Sequence, residues 1–266
     1  MPDRRDNRPR PPLGMRAPRT QPPRKTRLTT ERIVDAAMSL MASDGYDAVS
    51  MRSLARELET GPASLYTHVA NREELDQLVL ERVVAEVPLP EPDPERWQEQ
   101  VKQLLRDILD AYRNHPGSAR AAMGTIPTSE GGIAGAESMI ALCLAGGIAP
   151  QAAAWFCDFT SLYVGAVAYE QSIWAERENT TIAGEPADHE ALDKQLTSYF
   201  EDLPHDRFPL MRAFAQVMTT GDLTDRFEFA IDVMLAGLVA SSGSYRRDDD
   251  AEVLAAASLD GQPGPS

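Results

Sequence analysis

The chain has 266 residues, more than one compact domain usually takes, so two domains or one with extensions are expected. Hydrophobic residues at 42% and charged residues at 25% exclude wholesale disorder, and two cysteines, Cys143 and Cys157, exclude a disulfide scaffold and a four-ligand structural zinc site. The net charge of −15 argues against a generic nucleic-acid coat, but it is uneven: residues 1–28 carry nine Arg and Lys against Asp3 and Asp6, so only the N-terminal end attracts a polyanion.

Residues 1–26 mix Arg and Pro without apolar periodicity and read as a disordered basic arm. No run approaches the ~20 consecutive apolar residues of a bilayer span. The start has no apolar stretch of the secretory kind, so a cytoplasmic protein is expected and no membrane partner. The first helix begins at Thr29 or Thr30. It carries Ile33, Ala36, Ala37, Leu40 and Met41 at three- and four-residue spacing and stops at Gly45. Ser50 opens a second, with Leu54, Ala55 and Leu58 buried. The break Glu59-Thr60-Gly61-Pro62 leads to a third of about two turns at 63–69, and Asn71 caps a fourth that runs to Val87.

Pro88, Pro90, Pro92 and Pro94 then interrupt the chain, which places a domain boundary between residues 27–88 and 94–243. Long helices are expected at 94–114, 116–124, 130–146, 150–177, 187–202, 206–220 and 222–241, with no convincing strand anywhere. Residues 244–266 read as a second disordered tail with room for a short helix at 251–257. The fold class is therefore all-α: an N-terminal helix-turn-helix domain and a C-terminal helical ligand-binding and dimerisation domain.

Residues 50–69 carry the chemistry. A two- to three-turn helix, a Gly-Pro break and a second short helix form the helix-turn-helix pattern, in which a slender second helix enters a DNA major groove while the first braces it. Leu65 and Val69 supply its buried face. Ser64, Thr67 and His68 are left to point outward with Tyr66 beside them, hydroxyls for phosphates or base edges and methyls of Ala63 and Thr67 for thymine. The bland alternatives are a rim aromatic for Tyr66, a structural histidine for His68, solvated charges for Arg52 and Arg72, and an N-cap for Ser50.

IVDAA at 33–37, GY at 45–46, SMRSLA at 50–55, ASLYTHV at 63–69 and NREEL at 71–75 together resemble the N-terminal domain of TetR-family transcriptional repressors. FPL at 208–210 and DRFEFAID at 225–232 resemble, less specifically, the regulatory domain of the tetracycline-repressor branch. The resemblance implies an all-helical homodimer that represses an operator in double-stranded DNA until a small molecule binds its C-terminal domain. By the same resemblance Arg52 reads a base, Pro62, Ala63 and Ser64 open the recognition helix, Tyr66 and His68 touch the DNA backbone, and Arg72 binds a phosphate. Met51 and Thr67 depart from the branch's threonine and tryptophan, so the operator need not be shared.

A two-fold partner is expected through helices near 150–177 and 222–241, each with more apolar surface than its own core needs; the alternative is two plain core helices. A ligand cavity is expected among 95–175, lined by Leu104, Ile108, Tyr112, Met139, Cys143, Phe156, Phe159 and Tyr163, with Trp97, Met123 and Trp174 as further candidates. Gly131-Gly132 and Gly146-Gly147 read as hinge loops. No His–carboxylate spacing points to a metal, and the branch's magnesium ligands have no equivalents here, so no cofactor is expected. No nucleophile–base pair or phosphate loop points to an enzyme. The rival reading is a carrier or sensor of the same fold that no longer binds DNA, favoured by Asp44, Asp47, Glu57 and Glu59 beside the reading head.

Overall fold

The structure, a computed structural model, describes residues 27–123, 128–179 and 189–259. The arm expected at 1–26 and the end of the tail at 260–266 lie outside them. Among the described residues there are α-helices and two short 3-10 turns, and no strand; one apolar cluster runs from Ile33 to Leu238.

Helix α1 (Thr30–Asp44) starts where the Thr29 hydroxyl accepts from the Arg32 N–H at 3.3 Å. It ends at Gly45, whose φ of 84° suits glycine. Helix α2 (Met51–Glu57) opens on a reciprocal cap: Ser50 Oγ accepts from the Ser53 N–H and Ser53 Oγ from the Ser50 N–H. It closes with Glu59 at φ 48° and the Thr60 N–H on the Ala55 carbonyl at 2.8 Å, a left-handed closure that turns the chain towards α3. Helix α3 (Pro62–Leu65) is one turn, shorter than the expected 63–69; hydrogen-bonded turns carry the chain on to Val69. Helix α4 (Arg72–Val84) is capped by Asn71 Oδ1 on the Glu74 N–H at 2.8 Å. Leu54, Leu65, Val69, Leu75 and Val79 are wholly buried between these helices, each contributing about 1.5–3 kcal/mol of burial.

Beyond the prolines come α5 (Trp97–Asn114), α6 (Ser118–Met123), α7 (Glu130–Ala145), α8 (Pro150–Asn179), α9 (His189–Glu201), α10 (Pro209–Ala213), α11 (Ala215–Met218), α12 (Leu223–Ser241) and α13 (Asp250–Leu259). Helices α5, α7 and α8 pack on one another, and α4 reaches across to α6 and α7. Helix α12 lies on α8, where Phe227 stacks on Tyr163 at 5.9 Å, and is tied to α5 by Arg106–Glu228 and Lys102–Asp232, both at 2.6 Å.

Several expectations change. The single helix at 206–220 is two short ones, because Phe214 (φ −96°, ψ 5°) bends the chain. In the tail read as disordered with room for a short helix at 251–257, that helix is α13, anchored where the Arg247 N–H caps onto Asp250 and its guanidinium donates to Gln151 at the start of α8. Gly131 and Gly132 lie in the first turn of α7, and Gly146 caps its end. Residues 223–245 are long and apolar enough to cross a bilayer by composition, yet Glu228 and Asp232 in that stretch are engaged by α5.

Candidate nucleic-acid interface and ligand cavity

The helix-turn-helix of α2 and α3 is built by caps and a buried side. Leu65 and Val69 turn inward with no exposure, which leaves Pro62, Ala63, Ser64, Tyr66 and Thr67 exposed and His68 half-buried. Tyr66, 53% exposed, is too open for a core aromatic. Thr67 donates its hydroxyl to the Ser64 carbonyl at 2.7 Å, leaving its methyl and lone pairs outward. Arg52 stands exposed on α2. Ser50 is exposed as well, its hydroxyl engaged in the α2 cap.

Arg72 is placed differently from the other candidates. Its Nε donates to Asp76 Oδ1 at 2.8 Å, one Nη donates to the Val49 carbonyl, and its guanidinium covers the Tyr46 ring at 4.1 Å. The Tyr46 hydroxyl donates to the other Asp76 oxygen at 2.6 Å. Burial and this bond to Asp76 hold the Tyr46 hydroxyl above its ordinary pKa. The guanidinium is thus committed to joining α4 to the turn before α2.

The C-terminal helices enclose a cavity of about 400 Å³ between the end of α4, α5, α7 and α8. Of the eight expected lining residues, Leu104, Ile108, Tyr112 and Met139 line it. Cys143 and Phe156 are buried in the neighbouring core, and Tyr163 lies against Phe227. Phe159 is 54% exposed on the outer side of α8. Trp97 is buried against Gly146, Met123 is exposed, and Trp174 lines a larger, charged groove beside α9 and α12.

Sequence reasoning missed Val84 at the end of α4, Val87 and Leu89 in the segment after it, and Gly131, Gly132, Gly135 and Ala136 along α7. The four-residue spacing of Gly131 and Gly135 was the available signal: one helix face without side chains makes room beside it. The walls are otherwise mostly apolar, with Ser161 among the polar exceptions. Tyr112 supplies a hydroxyl whose proton burial holds more tightly than usual, Thr160 bonds its own to the Phe156 carbonyl, and Asp158 stands exposed on α8 beside the cavity. Among the described residues no group of three His, Cys, Asp or Glu could hold a metal ion.

The chain matches the family model of the tetracyclin repressor-like C-terminal domain over residues 89–241, and that of the bacterial regulatory proteins of the tetR family over residues 33–77. An HTH-type transcriptional regulator of Saccharopolyspora erythraea is 25% identical over 228 residues, 85% of this chain and 91% of the relative. The HTH-type transcriptional repressor DrrR1 of Streptomyces coeruleorubidus is 29% identical over 216 residues, 80% of this chain and 78% of the relative. Among solved structures, the TetR family protein ActR of Streptomyces coelicolor in complex with actinorhodin is 39% identical with a TM-score of 0.72, over 81% of this chain and 97% of that one. Its complex with (S)-DNPA gives 38% and 0.71, over 82% and 100%.

Proposed function

The chain belongs to the tetR family of bacterial regulatory proteins, and from that premise we propose that it is a ligand-responsive transcriptional repressor that binds a palindromic operator as a homodimer. The observation that carries this reading is the head itself: Arg52, Pro62, Ala63, Ser64, Tyr66 and Thr67 stand exposed on one capped helix-turn-helix whose inner face is fully buried. Two such heads about 34–36 Å apart meet successive major grooves on one side of a duplex.

The pairing surface is formed by α8 and α12. Trp155, Phe159 and Leu162 on the first, and Phe229, Val233 and Val239 on the second, are 48–72% exposed. Large apolar side chains in such number on two long helices mark a protein–protein surface. This also accounts for the membrane-like composition of 223–245.

The effector occupies the cavity of about 400 Å³, within the size range of small-molecule sites. The ActR complex with actinorhodin supports an effector of that kind, so actinorhodin is the first probe. The cytoplasm is the compartment in which such a repressor meets DNA. The test selects duplexes from a random pool and follows retention with and without actinorhodin. A palindromic selection that actinorhodin releases supports the reading; binding of the probe without retention of any duplex favours the carrier.

A further inference from the structure

Helix α7 has two caps. Ser129 Oγ accepts from the Gly132 N–H at 3.3 Å, a cap from its own chain neighbourhood. The second comes from the other half of the molecule: both oxygens of Glu81, on α4, accept from the Gly131 N–H, at 3.1 and 2.8 Å. A carboxylate on the free N–H groups of a helix start is a charge-assisted and dipole-assisted bond.

This junction sits on the cavity wall. Val84, one turn beyond Glu81, lines the cavity together with Gly131, Gly132 and Gly135. Contact is so close that a Cβ on Gly131 would come within 2.8 Å of Val84 Cγ2 and 3.1 Å of both Glu81 oxygens. On its other side α4 is fastened to the head: Arg82 pairs with Asp35 of α1 at 3.1 Å, and Asp76 holds Arg72 and Tyr46. Among the described residues, Glu86–His115 and Arg120–Asp47 also link the two halves, and these four residues stand outside the cavity wall.

From this we infer that Glu81 is the positioning residue through which occupancy of the cavity reaches the reading head. A molecule wedged beside Val84 and the first turn of α7 displaces that turn. Because the Glu81 carboxylate grips the turn and α4 is braced to α1 and α2, the head moves with it. Glycine at 131 allows the close seat. The inference rests on the repressor reading above and names its internal coupling.

Coupling is reciprocal, so the operator must alter the α7 start even with no effector present. The test follows hydrogen exchange of the Gly131 and Gly132 amides in the full chain, free and bound to the selected duplex. Wild type is expected to change exchange at these amides on duplex binding. Glu81→Ala is expected to bind the duplex and lose that change, and Glu81→Gln, which keeps an acceptor, to regain part of it. A purely structural cap would raise exchange equally in both states. A second variant, Gly131→Ala, presses α7 off Val84 and is expected to weaken operator binding by at least about fivefold without any ligand, the low end of ordinary coupling. Duplex binding with the exchange change intact in Glu81→Ala, or unaltered affinity in Gly131→Ala, overturns the inference. Failure of wild type to bind any duplex overturns the repressor reading instead.

Discussion

Arg72 and Asp76 pair one turn apart on α4, Nε to Oδ1 at 2.8 Å, and the Tyr46 hydroxyl completes the carboxylate at 2.6 Å. Asp76 is 6% exposed, and these two partners occupy both of its oxygens. The resemblance assigns Arg72 to a phosphate; the geometry assigns it to holding the head together. Arg72→Ala should therefore lower stability by about 2–3 kcal/mol, between a charge-assisted hydrogen bond and a fully buried pair. Thermal or urea unfolding checks this, and unchanged stability with a weakened operator complex would restore the phosphate role.

Arg52 is the opposite case, exposed on α2. Arg52→Ala should leave unfolding unchanged and cost about 1–3 kcal/mol of operator affinity, relaxing choice at one base pair in each half-site. Competition binding against single-base operator variants measures both.

These two arginines mark what was readable in the chain. Spacing and caps fixed α1, α2 and α4, because Thr29, Ser50 and Asn71 act within three residues of themselves. Exposure of Ala63, Ser64, Tyr66 and Thr67 followed from Leu65 and Val69 taking the inner face. Arg72's fate depended on Tyr46 and Val49, 26 and 23 residues away, which no local pattern reports. The cavity was half read for the same reason. Aromatic residues on α8 were expected inside, yet Phe159 faces out and Tyr163 packs on Phe227, while the space is made by glycines on α7.

The exposed side chains of α8 and α12 predict the assembly. Phe159→Glu with Phe229→Glu should convert a dimer to single copies by light scattering and weaken operator binding, because one head alone loses its tethered partner. A dimer of unchanged mass would place the pairing surface elsewhere.

The two thiols differ in depth. Burial pushes Cys143 up to about 12, and raises Cys157 as well, on the cavity wall. Both should resist alkylation at pH 8 in the native protein and react once it is unfolded, with Cys157 the faster of the two and slowed further by a cavity ligand. Raised thiol values favour the folded, protonated form. Their contribution is full below the ordinary thiol range near ~8.5 and is lost as pH climbs from there through about 12. Mass spectrometry after timed alkylation reads the order.

Filling the cavity separates sensing from reading. Gly135→Leu places a side chain into that space, and nothing lies within 4 Å of the Cβ position to oppose its first atom. Operator binding should persist and actinorhodin should no longer release the duplex in a gel-shift titration. Release at the wild-type concentration would show that the effector binds outside this cavity.

The most direct test of the account is the mass of the complex formed with the selected operator, measured by sedimentation with and without effector. Two protomers on one duplex, dissociated when the cavity is filled, is the predicted result. Single protomers that leave every duplex free would contradict it.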